Sequence, residues 1–187
     1  KIAFDQVEIF QRSIKSTGKS EFYSIKEIKK FDRKKSFIIN QDLKNITIKR
    51  KKICGIEFSE PKIMGVLNIT PDSFSDGGVF FDKKKAFDQA NFMHKNGAII
   101  VDIGGESTRP GSKIVNAEEE WNRIKDTIID LKKSNPKIIL SLDTRKSQIM
   151  KKGIENGVNI INDISGLEFD KKSFDLINSK KIPFILH

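Results

Sequence analysis

Residues 64–78 read MGVLNITPDSFSDGG, an apolar strand followed at once by a long polar loop. Up to Ile69 the side chains are largely apolar and partly β-branched, interrupted by Asn68, which is typical of a buried strand in a parallel sheet. The loop contains proline, ends in two glycines and carries one large apolar side chain, Phe74. A buried strand followed directly by such a loop is typical of an α/β fold, in which strands end in polar loops at one edge of the sheet.

The same unit recurs along the chain as an apolar strand, a polar loop and an amphipathic helix. We predict strands at residues 63–67, 99–103, 138–142, 159–164 and 183–186. We predict helices at about residues 83–96, 117–133, 146–156 and 171–179. This alternation predicts a parallel sheet covered by helices. An open doubly wound sheet and a truncated (β/α)8 barrel both fit the pattern.

Residues 1–44 depart from this pattern, because they are highly charged and have no repeated strand–helix unit. The stretch SIKEIKKF at 24–31 predicts a short amphipathic helix. We interpret residues 1–44 as a basic N-terminal extension of unassigned role and residues 45–187 as the main domain. At residues 45–58 the apolar alternation predicts a two-stranded hairpin.

The composition bounds the class of protein. The chain has 187 residues, of which 37% are hydrophobic, enough for one domain with a core. Its net charge is +10, but the lysines are scattered along predicted helices, so we expect no nucleic-acid partner. No apolar run suits a membrane helix or a signal peptide, and the single cysteine, Cys54, favours a reducing cytoplasm. Because the chain lacks an initiating methionine and stops after an apolar run, we interpret it as a fragment.

Polar side chains close four successive predicted strands: Asn68, Asp102, Asp143 and Asn162. The carboxyl ends of parallel strands meet at one face, where ligands bind. One such residue is commonplace as a helix cap, and Asp143 before the helix at 146 fits that role. Four in succession favour a shared pocket instead. Amide and carboxylate groups in an apolar cup suit a flat heterocycle with N–H and C=O groups.

The segment GGESTRPG at 104–111 suits an anionic group such as a phosphate. Its glycines allow close backbone approach, Ser107 and Thr108 supply hydroxyls, and Arg109 supplies a cation. The alternative is a structured loop with a turn at Pro110. No nucleophile-and-base pair is evident, and the two histidines and one cysteine are too few for a zinc site.

Four motifs, in order, resemble those of the dihydropteroate synthase family. They are IMGVLNITPDSFSDGG (63–78), VDIGGESTRPGS (101–112), SLDTRKS (141–147) and INDISG (161–166). The resemblance implies a (β/α)8 TIM barrel, of which about the first five units are present. It also implies a transferase of folate biosynthesis that joins (7,8-dihydropterin-6-yl)methyl diphosphate to 4-aminobenzoate, with release of diphosphate. Mg²⁺ as cofactor and a homodimer are implied as well.

Carried across residue by residue, the resemblance implies that Asp143 and Asn162 recognise the pterin ring. Asn68 corresponds to a ligand of Mg²⁺, and Thr108 to a contact of the diphosphate-bearing substrate. Arg109 would stabilise charge on the departing diphosphate. The residues of the two loops that close over the site and shape the aminobenzoate pocket are Phe74, Asp76, Ser107 and Pro110. The catalytic candidates are Asp76, Asp143 and Arg109, and Asp102 and Ile164 are added as substrate-binding candidates.

Three alternatives stay open at this point. Pterin-binding barrels that transfer methyl groups to corrinoid proteins share the fold but lack the TPDSFSDGG loop. A non-catalytic paralogue would keep the pterin site, and a nucleic-acid module would use the basic residues 1–44. Because the family has three further strand–helix units that bear substrate-binding groups, we expect the 187-residue chain alone to be inactive.

Overall fold

A computed structural model describes residues 4–11, 19–70, 83–107, 111–112 and 114–187. The chain divides into two compact units, Lys1–Lys51 and Lys52–His187. Five of the predicted site residues lie outside the described residues: Phe74, Asp76, Thr108, Arg109 and Pro110.

The first unit contains an antiparallel pair of strands and two helices. These are β1 (Gln6–Gln11), β2 (Lys19–Ser24), α1 (Ile25–Ile28) and α2 (Arg33–Thr47). The helix predicted in SIKEIKKF is confirmed as the single turn of α1, which a reciprocal pair of hydrogen bonds between Ser24 and Glu27 caps. Asp32 caps α2 by accepting two backbone N–H groups of its first turn.

The hairpin predicted at residues 45–58 is wrong. Helix α2 continues to Thr47, whose hydroxyl donates to the carbonyl of Leu43 one turn earlier. Only an isolated bridge between Ile53 and Ile56 remains, closed by a turn with Gly55 at φ 80°. The apolar alternation was too short to outweigh the helix that begins at Arg33, because two isoleucines fit the repeat of a helix as well as that of a strand.

The second unit is an α/β fold with a five-stranded, fully parallel sheet in the order of the sequence. Its strands are β3 (Ile63–Asn68), β4 (Ala98–Gly104), β5 (Ile139–Asp143), β6 (Ile160–Asp163) and β7 (Phe184–Leu186). Its helices are α3 (Lys83–Lys95), α4 (Ala117–Ser134), α5 (Ser147–Glu155) and α6 (Lys172–Lys180). The predicted strands and helices of this unit are therefore confirmed, with ends that differ by at most one residue. None of the helices in the described residues is both long and apolar enough to cross a membrane.

The two faces of the sheet differ in chemistry. On one face Leu67, Ile103, Leu142 and Ile161 are buried in the main core with the apolar sides of the helices. Helix α5 approaches β5 closely because Gly153 has no side chain; a Cβ there would overlap Leu142 Cδ2. The opposite face has a small apolar cluster near the amino ends of the strands. Toward the carboxyl ends of the strands that second face becomes polar.

Candidate active site

A row of paired residues crosses the carboxyl end of the sheet. In the strand register Asn68 pairs with Gly104, Gly104 with Asp143, Asp143 with Asn162, and Asn162 with Ile185. Residues side by side in a parallel sheet point to the same face. The structure therefore brings together three of the predicted site residues, Asn68, Asp143 and Asn162.

Gly104 allows the polar groups on either side of it to converge. A Cβ at this position would lie 3.2 Å from Asn68 Oδ1 and 3.4 Å from Asp143 Oδ2. An amide oxygen and a carboxylate oxygen thus flank the same glycine, on two strands that are separated only by β4. Both are hard oxygen ligands of the kind that Mg²⁺ prefers.

The carboxyl group of Asp143 lies in an unfavourable environment for a charge. Burial, and then the neighbouring acids Asp102, Glu120, Asp163 and Glu106, raise the pKa of Asp143 from 3.8 to about 7. Among the described residues no hydrogen-bond donor contacts it. A partly buried acid with a raised pKa and no hydrogen-bond donor among the described residues is typical of a functional site.

The helix-capping alternative for Asp143 is wrong. Helix α5 begins at Ser147, and no side chain of the preceding residue, Lys146, caps it. Instead Asp170, at the start of α6, accepts the backbone N–H of Ser147 at 2.9 Å and that of Lys172 at 3.0 Å. Asp143 is therefore free of a structural role in the helix.

A second buried acid, Asp102, lies behind Asn162. Asp102 is only 2% exposed, and its Oδ2 accepts a hydrogen bond from Asn162 Nδ2 at 2.9 Å. Asn162 Oδ1 in turn lies 2.9 Å from His187 Nε2. Because an amide oxygen only accepts, His187 is the donor. Asp102 thus belongs to the site, through Asn162.

The remaining described candidates lie at the rim. Ile164, just beyond β6, is 49% exposed. Ahead of it, Asp163 is fully buried and accepts backbone N–H groups from Ser165 at 2.8 Å and Leu167 at 3.1 Å, which orders this loop. Ser107, after β4, is half-buried, and its carbonyl accepts a hydrogen bond from Ser112 at 2.5 Å.

Sequence reasoning missed a buried ionic cluster beside the site, formed by Glu106, Glu120, Arg145 and Lys146. Lys146 Nζ donates to Glu106 at 2.9 Å and to Glu120 at 2.5 Å. Arg145 donates to both oxygens of Glu106, at 3.2 and 3.3 Å. Thr144 donates to the other oxygen of Glu120 at 2.5 Å. The available signal was the basic pair that comes after Asp143 in SLDTRKS.

The ionic cluster ties two strand ends together. Glu106 follows β4 and also accepts the backbone N–H of Val115 at 3.0 Å, while Lys146 follows β5. Burial alone raises the pKa of Glu106, but hydrogen bonds from Arg145 and Lys146 outweigh it and hold the pKa below its ordinary range. The cluster therefore fixes the segments on either side of the site.

Within the described residues no group of three or more His, Cys, Asp or Glu side chains could enclose a metal ion. Mg²⁺ is commonly held by one or two protein oxygens together with substrate phosphates. Asn68, with Asp143 beside it, is the described residue best placed for that task.

A parallel α/β sheet that gathers amide and carboxylate groups at its carboxyl end has the donors and acceptors that suit a polar heterocycle. The chain belongs to the pterin-binding enzyme family, since the profile of that family, described as "Pterin binding enzyme", matches residues 64–187. It is 47% identical to the dihydropteroate synthase of Clostridium beijerinckii over 124 residues, which are 66% of this chain and 46% of that protein.

Two solved structures are similar to this chain. The dihydropteroate synthase of Xanthomonas albilineans with 4-aminobenzoic acid has a TM-score of 0.66 at 36% identity, over 70% of this chain and 48% of that one. A dihydropteroate synthase from a Clostridium species, solved in the presence of pteroic acid, has a TM-score of 0.65 at 40% identity, over 68% and 48% of the two chains. The chain thus spans about half the length of the relatives it matches.

Proposed function

We propose that the protein is a dihydropteroate synthase. It would join (7,8-dihydropterin-6-yl)methyl diphosphate to 4-aminobenzoate, giving 7,8-dihydropteroate and diphosphate. Family membership supports this, as do relatives of that name, one solved with 4-aminobenzoic acid and another solved in the presence of pteroic acid. The five parallel strands would then be part of a (β/α)8 barrel. The domain division proposed from sequence has a basic extension at 1–44 before the pterin-binding domain at 45–187, whereas the two compact units divide after Lys51.

The observation that carries the proposal is the position of Asp143. It lies partly buried in the middle of the polar row, with Asn162 on one side and Asn68 across Gly104 on the other. A pterin ring presents several N–H groups on one edge, and these would donate to the Asp143 carboxylate and the Asn162 oxygen. Ligand donors favour the ionised form of Asp143, which would stabilise positive charge on the ring during the reaction.

At the diphosphate end we propose that Asn68 holds Mg²⁺, with Thr108 and Arg109 contacting the phosphate oxygens. The bound ion supplies positive charge that stabilises the leaving diphosphate. Arg109 adds a second positive charge, and the Thr108 hydroxyl donates to the same oxygens. These roles rest on residue chemistry and on the resemblance for Thr108 and Arg109, and on the position of Asn68.

The chemical step breaks the bond between the methylene carbon and the diphosphate oxygen, whose electron pair leaves with the diphosphate. The 4-aminobenzoate nitrogen then forms a bond to the methylene carbon and loses one proton. Water must be excluded, because it would trap the carbon as an alcohol. We propose that Phe74, Asp76, Ser107 and Pro110 enclose 4-aminobenzoate, while Ile164 flanks the pterin ring.

A cytoplasmic location and a homodimer complete the proposal, with no nucleic-acid or membrane partner. The single cysteine, Cys54, which favours a reducing compartment, supports the location, and the resemblance to the family supports the homodimer.

The test is release of diphosphate, measured with the product of the full reading frame that encodes these 187 residues. We expect release to require both the pterin diphosphate and 4-aminobenzoate, and to be lost in Asp143→Ala. Release that needed only the pterin diphosphate would indicate hydrolysis and refute the proposal. Binding of pterin without any turnover would point to a non-catalytic paralogue, and methyl transfer to a corrinoid to the related methyltransferases.

A further inference from the structure

The side chains of Asp102 and Asn162 meet across a strand that separates them. Asp102 is on β4 and Asn162 on β6, while Ser141 of β5 pairs with Asp102. Nevertheless Asn162 Nδ2 donates to Asp102 Oδ2 at 2.9 Å. The contact passes over β5 because the residue beneath it, Ser141, is small and fully buried.

This contact decides which end of the Asn162 amide faces the ligand. An ionised carboxylate only accepts hydrogen bonds, so Asp102 selects the NH₂ end of the amide. Rotating the amide by half a turn would place its oxygen against the Asp102 oxygen, with two acceptors and no donor between them. The hydrogen bond is also charge-assisted, which makes it stronger than one between neutral groups.

Asp102 itself is poorly placed to touch a ligand. Only 2% of the residue is exposed, whereas Asn162 is half-buried at the end of β6. The Asn162 oxygen already accepts a donor from His187 Nε2 at 2.9 Å, so an N–H group fits at this position.

We propose that Asp102 is a positioning residue, which holds the Asn162 amide so that its oxygen accepts an N–H group of the bound heterocycle. The inference rests on the proposed function, because the heterocycle is taken to be a pterin. The sequence predicts that Asp102 binds the substrate directly. In this proposal Asp102 instead acts on the substrate through Asn162. The site would therefore be specific. A ring with a hydrogen-bond acceptor at this edge would face the Asn162 oxygen, which is also an acceptor, and would bind poorly.

A double-mutant cycle tests this, because a residue that acts only through another has no effect once the other is removed. The variants are Asp102→Ala, Asn162→Ala and the double variant, all made in the product of the full reading frame that encodes these residues. Affinity for 6-hydroxymethylpterin is measured by fluorescence titration. We expect Asp102→Ala to weaken binding about tenfold. The double variant should match Asn162→Ala within about twofold.

Asp102→Asn is the conservative variant. Its amide oxygen can still accept from Asn162, so binding should stay within about threefold of the wild-type value. Ser141→Ala, beneath the contact, is the matched control and should leave affinity unchanged. In ¹⁵N-edited NMR spectra, the Asn162 side-chain protons should exchange faster with solvent in Asp102→Ala than in the wild-type chain.

Additive losses in the double variant, or Asp102→Asn as weak as Asp102→Ala, would mean that Asp102 contacts the ligand and would overturn the inference. Unchanged exchange of the Asn162 side chain would overturn it without reference to any ligand. A wild-type chain that bound no pterin would instead refute the proposed function, and this inference with it.

Discussion

Replacing Asp143 with asparagine should stabilise the protein at alkaline pH. The pKa of Asp143 rises from 3.8 in the unfolded chain to about 7 in the folded protein, a difference of about 3 pH units. At about 1.4 kcal/mol per unit this corresponds to about 4 kcal/mol. Because the side chain is partly exposed, solvent reduces the expected effect to about 2–4 kcal/mol.

The direction of the effect is set by proton linkage. The folded protein holds the proton more tightly than the unfolded chain, so the stabilisation is complete below pH 3.8 and is lost as the pH rises through about 7. Wild-type protein should therefore lose stability between pH 5 and pH 8, whereas Asp143→Asn should lose much less. The gain of the variant should be largest at pH 8 and less than half as large at pH 5.

The assay is urea unfolding of both proteins at pH 5 and pH 8, with the denaturant slope compared to check that the same surface is exposed. Asp130→Asn is the control, because Asp130 lies exposed on α4. It should change stability little at either pH. An Asp143→Asn variant that was less stable than wild type at pH 8 would refute the argument that the Asp143 charge is unfavourable in the folded protein.

Three further predictions concern other positions. Asp170→Ala should lower the unfolding free energy by about 1–2 kcal/mol, because it removes the acceptor for amides at the starts of α5 and α6. Hydrogen bonds from the Ser147 side chain and from the backbone N–H groups of Lys172 and Ser147 lower the pKa of Asp170, so its contribution is present above pH 3.8 and is lost as the pH falls further. Urea unfolding at pH 7 and pH 3 checks both effects, and an unchanged midpoint at pH 7 contradicts the prediction. Gly153→Ala should destabilise by about 1–3 kcal/mol, because its methyl group would overlap Leu142, and a melting temperature equal to wild type would show that α5 moves freely. Phe74→Ala should raise KM for 4-aminobenzoate far more than KM for the pterin diphosphate in steady-state assays, and equal changes would contradict its role as a wall for the aminobenzoate ring.

Hydrophobic patterning located the second unit well. The strands of the parallel sheet are buried on the helix-facing side and form apolar runs, so β4 and β5 were found within one residue. The convergence of Asn68, Asp143 and Asn162 was also predictable, because parallel strands carry their carboxyl ends to one face. The polar residues at the strand ends were therefore more informative about the site than the apolar strands themselves.

Other features depend on contacts between residues far apart in sequence. The partner of the Asn162 amide, Asp102, is 60 positions away, and nothing in either motif shows which end of the amide it holds. The pairing of Lys146 with Glu120 was not predictable, because helical periodicity does not distinguish a buried ion pair from two solvated charges. Strands β1 and β2 escaped prediction since their side chains are mostly exposed.

The ionic cluster beside the site has a consequence for how this sequence can change over time. Glu106 and Glu120 are balanced by Arg145 and Lys146, so its formal charges sum to zero. Losing Glu106, Glu120 or Lys146 leaves an opposite charge without its balance and away from water, at a cost of about 3–5 kcal/mol. Replacing several members together with apolar side chains of similar volume can be neutral. We therefore expect the four positions to change together rather than one at a time. A library that varies all four in combination should yield folded proteins even where each single substitution is destabilising.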